Sequence, residues 1–221
     1  MSDTPTVNVR GNATWTVPPE IATIRVQILA LEQDRTRALR HATESTGDLQ
    51  RIVEGYGVAI AKCEIRAVHV RPLFRSDGKK AKLSHYAASV EITLEVEDFS
   101  ILGDLVLRMG EHDRVTLHGP HWAVRRDSPR HREVRLAAVR DARTRATEYA
   151  EALGGHLTGL VSITDVALND SWENAPSAGI FQAHAASSMA DEITLDLTPE
   201  EQIVSGAVDV RFVMSAPTFG A

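Results

Sequence analysis

Apolar and polar side chains alternate strictly along residues 21–32, where Ile24, Val26 and Ile28 fall on one side and Thr23, Arg25 and Gln27 on the other. Period two is the mark of a half-buried strand. Residues 6–14 carry Val7 and Val9 in the same alternation, and Pro18-Pro19 makes a rigid break between the two runs. Proline fixes φ and lacks an N–H, so a strand pair joined by a proline turn is expected here. From 34 to 56 the period lengthens, with Ala38, Leu39, Ala42, Leu49, Ile52, Val53 and Tyr56 at helical spacing and Gly55 and Gly57 marking the stop. Residues 64–73 and 84–97 read as two further strands, the second with Val90, Ile92, Leu94 and Val96 opposed to Glu91, Thr93, Glu95 and Glu97. Asp77-Gly78 between them supplies turn chemistry, which predicts a long antiparallel hairpin.

Later segments repeat this grammar. A short helix at 99–109, capped by Asp98 or Ser100, leads to a strand at 114–124. A long helix at 129–153 has Ser128 as its cap, Pro129 in its first turn and Gly154-Gly155 at its end. Its apolar stripe is Val134, Ala138, Ala142, Ala146, Tyr149 and Leu153, and the alanines predict a helix axis lying close to its neighbour. Strands at 160–168 and 207–214 close the chain, separated by residues 169–201, which are too many for an ordinary connection and read as a long flexible insert. The expected fold is α+β: a mixed, mainly antiparallel sheet packed with two long helices and one short one, containing a ferredoxin-like βαββαβ element. Residues 1–221 are read as a single domain.

The balance of 24 Lys+Arg against 30 Asp+Glu leaves a net charge of −6, and aromatic residues make up only 5%. An acidic chain without aromatics interleaved among its basic residues argues against nucleic acid as a partner. No apolar run approaches the roughly 20 residues that span a bilayer, and Met1–Pro5 lacks the features of an export signal, so the cytoplasm is the expected compartment. Cys63 is the sole cysteine, which excludes an intrachain disulfide and a multi-cysteine zinc site and leaves a buried or half-buried thiol as its expected role.

Four stretches, in this order, resemble the SIMPL domain proteins, also called the domain-of-unknown-function 541 or outer-membrane-protein 28 family. They are Val7-Asn8-Val9-Arg10-Gly11-Asn12-Ala13 with Pro19-Glu20-Ile21-Ala22; Tyr86-Ala87-Ala88; Ala138-Val139-Arg140-Asp141-Ala142-Arg143-Thr144-Arg145-Ala146 running into Ala150-Glu151-Ala152-Leu153-Gly154; and the strand 208–213. The resemblance implies a mixed α+β fold and, in some members, ring-like or channel-like oligomers. It supplies no catalytic residues. Members usually begin with an export signal, and Gly119-Pro120-His121-Trp122 stands where the family usually has a small-aromatic pair.

Candidate chemistry is sparse. His112, Asp113, His118, His121 and His131 are the densest group of metal-ligating types, and a small-ligand site, a metal site or a hydrolase using residues 112–131 is one alternative reading. Against it, His118 and His121 are three apart on an expected strand and should face opposite ways. Ser128 and Ser162 lack a nucleophile elbow, and the glycines form neither a phosphate loop nor a dinucleotide fingerprint, so no cofactor is called for. Arg125, Arg126, Arg130, Arg132 and Arg135, with Lys79, Lys80 and Lys82, offer a second alternative, an anionic surface or nucleic-acid contact. Trp172, Ile180, Phe181 and Met189 are apolar groups within the insert, suited to docking on a partner. The leading expectation is a non-enzymatic, self-associating protein that works through a sheet edge, the alanine-faced helix or the insert, with its other protein partners unspecified.

Overall fold

A computed structural model of the chain describes residues 4–77, 80–166 and 195–218. In chain order its elements are β1 (Thr6–Val17), β2 (Ile21–Glu32), α1 (Arg35–Glu54), β3 (Ile60–Asp77), β4 (Lys80–Val96), α2 (Leu102–Gly110), β5 (Val115–Ala123), α3 (Pro129–Ala152), β6 (Leu157–Asp165) and β7 (Gln202–Met214). They divide into two compact units, one built on Pro19–Val124, the other on residues up to Pro18 together with stretches that begin at Arg125 and Glu201. No helix among the described residues is long and apolar enough to cross a membrane.

The Pro19–Val124 unit has the order β2-α1-β3-β4-α2-β5, and its sheet runs β3-β4-β2-β5 with every neighbouring pair antiparallel. That is the split βαβ arrangement expected from the sequence. Alternation does the sorting: Ile24, Val26 and Ile28 of β2 and Val90, Ile92, Leu94 and Val96 of β4 point to one face, where they meet Ala38, Ala42, Leu49 and Val53 of α1 and Leu102, Leu105 and Met109 of α2. Each fully buried Ile or Leu contributes about 1.5–3 kcal/mol relative to exposure. The Asp34 carboxylate accepts the Arg37 N–H at 2.9 Å and so caps α1. Tyr56, just beyond α1, donates its hydroxyl to Asp104 of α2 at 2.5 Å. Trp122 of β5 packs edge-on against Phe99, ring centroids 4.9 Å apart.

The second unit is a three-stranded antiparallel sheet, β1-β7-β6, with α3 across it. Here the structure departs from the expected strand pair: β1 joins β7, not β2, and Pro18-Pro19 carries the chain out of one sheet and into the other. Alternation reports which side of a strand is buried but not which strand lies beside it, and two prolines without N–H groups cannot close a hairpin ladder. The strands expected at 207–214 and 160–168 likewise belong to this separate sheet, as β7 and, up to Asp165, β6, while residues 167 and 168 lie outside the described residues. Of the expected insert, residues 169–194 lie outside the described residues, whereas Leu197 packs on the core of the Pro19–Val124 unit.

The alanine stripe of α3 is the key to this unit. Val134, Ala138, Ala142, Ala146 and Ala150 are buried, while Tyr149 and Leu153 are exposed. The stripe keeps its i, i+4 step to Ala150 and does not turn toward Tyr149 as the sequence pattern suggested. Opposite it, Gly11 of β1 lies so close that a Cβ there would sit 2.0 Å from the Ala138 carbonyl oxygen and 2.6 Å from the Ala142 Cβ. Around this contact, Asp141 Oδ2 accepts the Asn12 backbone N–H at 2.9 Å, and Arg145 donates to the Arg10 carbonyl oxygen at 2.8 Å. β1 is an edge strand, and these two side chains bind backbone groups of the kind that a neighbouring strand would bind.

Two outcomes follow for stability. Gly11→Val should force α3 off β1 and lower the unfolding free energy by about 3 kcal/mol, the upper end of overpacking, measured by urea denaturation. Asp141→Ala, which removes one such hydrogen bond, should lower it by about 1 kcal/mol, with the same readout and an unchanged far-ultraviolet spectrum.

Candidate functional site

The arginines that crowd residues 125–135 in sequence do not share a face. Arg125 and Arg126 are exposed in the segment between β5 and α3, and Arg130, Arg132 and Arg135 are exposed on the first turns of α3. At about 100° per residue, Arg132 and Arg135 point roughly 200° and 140° away from Arg130. Arg130 is paired with Glu133 at 3.1 Å. Lys82 is exposed on β4 opposite Arg75, Lys80 is the first residue of β4, and Lys79 lies outside the described residues. So do Trp172, Ile180, Phe181 and Met189.

The histidines are also dispersed. His131, in the first turn of α3, has its Nε2 3.0 Å from the Arg125 carbonyl oxygen, and His112 is half-buried in the turn before β5. Among the described residues, no three His, Cys, Asp or Glu side chains group as a metal site would require. His118 and His121, however, correct the sequence expectation. His118 stands opposite Arg25 and His121 opposite Thr23, so one extra residue of β5 is accommodated between them. Such a bulge resets the alternation, and both imidazoles emerge on the outer face of the sheet with Thr23 and Arg25. Gly119 makes the bulge possible: its φ is +113° and a Cβ there would meet the Thr23 carbonyl oxygen at 2.6 Å.

Two pairings escaped the sequence reading. His41 of α1 holds the Glu32 carboxylate at 2.8 Å with its Nδ1, and Ser84 Oγ lies 2.7 Å from His85 Nδ1. The available signal for the first was a carboxylate at a strand end followed by a histidine in the next helix, a pattern too common to single out. Neither pairing combines nucleophile, base and orienting carboxylate in one set. Ser128 is buried and caps α3, accepting the Arg130 N–H at 3.2 Å. Cys63, expected as a buried or half-buried thiol, is exposed on β3, an edge strand of its sheet. Partial burial nevertheless raises its thiol pKa, so the thiolate is disfavoured.

What remains is a difference among the sheet edges. β1 is held by Asp141 and Arg145, β5 is short and contains Pro120, and β3 is bulged three times and carries Lys62, Arg66, Arg71 and Arg75. These are recognised ways of blunting an edge. β6 has bulges at Thr158 and Val161 but no charged residue from Leu157 to Thr164. α3 packs chiefly on β1 and β7, so Leu160 (57%), Val161 (51%) and Ile163 (50%) stay exposed. The outer face of the same sheet is polar, with Arg10 of β1 bidentate to Asp209 of β7 at 2.7 and 2.8 Å and Ser162 opposite Arg211. The Arg10 guanidinium holds the Asp209 carboxyl below its ordinary pKa.

Alanine signature, Gly11 strand and closing strand thus converge on helix docking and edge closure. No curated protein matches the chain. A family model described as a protein of unknown function (DUF541) matches residues 7–212, nearly the whole sequence, and the chain therefore belongs to the SIMPL family.

Proposed function

We propose that this SIMPL-family chain is a non-enzymatic, self-associating scaffold protein whose contact surface is the β6 edge and whose partner there is a second copy of itself. The observation that carries this reading is the exposure of Leu160, Val161 and Ile163 on the uncharged edge of a sheet whose opposite edge is held by α3. Two β6 edges brought together antiparallel would oppose no like charges between Leu157 and Thr164. The bulges at Thr158 and Val161 interrupt a regular ladder, so side-chain burial supplies the attraction and strand addition does not propagate without limit. Each chain carries a net charge of −6, so two copies repel at long range and associate more tightly as salt screens them. An anionic-surface or nucleic-acid contact would show the opposite salt dependence.

Sedimentation velocity over a concentration series is the test. The wild type should form dimers or larger closed assemblies, more completely at 0.5 M than at 0.05 M sodium chloride. Ile163→Lys should weaken association at least tenfold, about 1.4 kcal/mol, with helix and strand content unchanged because the side chain is already half exposed. A wild type that stays monomeric at every concentration and both salt levels overturns the proposal.

A further inference from the structure

The bulge in β5 gathers a set of cations that nothing in the assembly reading uses. On the outer face of the four-stranded sheet Arg25 stands directly across from His118, and His121 lies one step away across from Thr23. Directly opposed residues in an antiparallel pair have Cβ atoms about 4.5–5.5 Å apart, and diagonal ones remain within reach of long side chains. Among the described residues, none of these three side chains has an ion pair or a side-chain hydrogen bond. The neighbouring charges are accounted for. On β3, Lys62 and Arg66 pair with Glu64 at 2.8 and 3.2 Å. On β4, Thr93 faces Arg25, Glu95 faces Thr23 and Glu91 faces Gln27, which leaves the two glutamates diagonal to Arg25 on the side away from β5. On β5 itself Thr116 faces Gln27. The β2–β5 side of the face therefore presents three cationic or protonatable groups that make no ion pair, with the carboxylates nearest to Arg25, those of Glu91 and Glu95, set diagonally on its β4 side.

Like charges set opposite each other across strands are destabilising, and an anion seated among them removes the repulsion. A guanidinium offers a planar fork of donors matched to oxyanions, and two imidazoles add further N–H donors when protonated. We propose that Arg25, His118 and His121 form a binding site for a phosphate group, with Arg25 as the permanent charge and the histidines as the pH-dependent part. Partial burial, and then the charges of Arg25 and His118, hold the His121 imidazole below its ordinary pKa. A group with a lowered pKa stays neutral to lower pH in the free protein, and a bound anion raises that pKa, so binding strengthens as pH falls through the histidine range. The site is independent of the β6 edge.

The test uses the whole chain with inorganic phosphate, titrated at pH 6.0 and 8.0 at ionic strength matched with sodium chloride, read by isothermal calorimetry and by the histidine ring resonances. Phosphate should bind at least tenfold more tightly at pH 6.0 and shift the His118 and His121 rings. Arg25→Gln, an exposed position that leaves the core intact, should abolish binding at both pH values; phosphate itself passes from mainly dianion at pH 8.0 to mainly monoanion at pH 6.0, so the double change His118→Gln with His121→Gln should leave weak binding that is no tighter at pH 6.0 than at pH 8.0, the reverse of the wild type. Equal shifts with chloride alone, equal binding of acetate, or phosphate binding unaltered in Arg25→Gln would each overturn the assignment.

Discussion

The approach of α3 to β1 constrains the β1-β7-β6 unit more than any other contact. A side chain at Gly11 would collide with the backbone of α3, so a methyl group is as much as the helix can carry at Ala138 and Ala142. Once the two backbones lie that close, Asp141 and Arg145 are within reach of the strand edge and bind Asn12 N–H and Arg10 C=O. Packing and polar satisfaction are here one arrangement: the small residues bring the helix in, and the charged pair at its flank then replaces water on backbone groups that would otherwise need it.

This arrangement joins two strings of the chain that lie far apart in sequence. Gly11 and the Ala138–Ala146 stretch are two sides of one contact, and Asp141 and Arg145 of that stretch hold the backbone of β1. The β6 side of the sheet receives no comparable cover from α3. Edge closure is therefore asymmetric, and among the described residues it leaves Leu160, Val161 and Ile163 exposed on β6, the strand on which the proposed self-association rests.

Much of the fold was legible because periodicity and punctuation act locally. Ser128, Pro129 and Asp34 announced their helices, and alternation in β2 and β4 identified the core face of the four-stranded sheet residue by residue. What alternation could not carry was partner choice, so β1 was expected beside β2. It also could not anticipate one extra residue in β5, so His118 and His121 were placed on opposite faces. Nor does alternation report that Cys63, on the edge strand β3, is exposed although Leu94 opposite it in register is buried. For the sites the limit is similar: the arginines of 125–135 are adjacent in sequence but spread around a helix, whereas Arg25 and His118 are remote in sequence and face each other.

Chain connectivity adds a constraint in time. Arg10 and Asp209 are 199 positions apart, and β7, to which Asp209 belongs, is the central strand of its sheet. Translation at about 5–20 residues per second leaves β1 without its partner for roughly 10 to 40 s. Pro19–Val124 is by contrast a continuous stretch that emerges with nearly all its contacts in hand. Synthesis thus imposes an order in which the inner segment emerges first and β1 waits for its partner until β7 has been made.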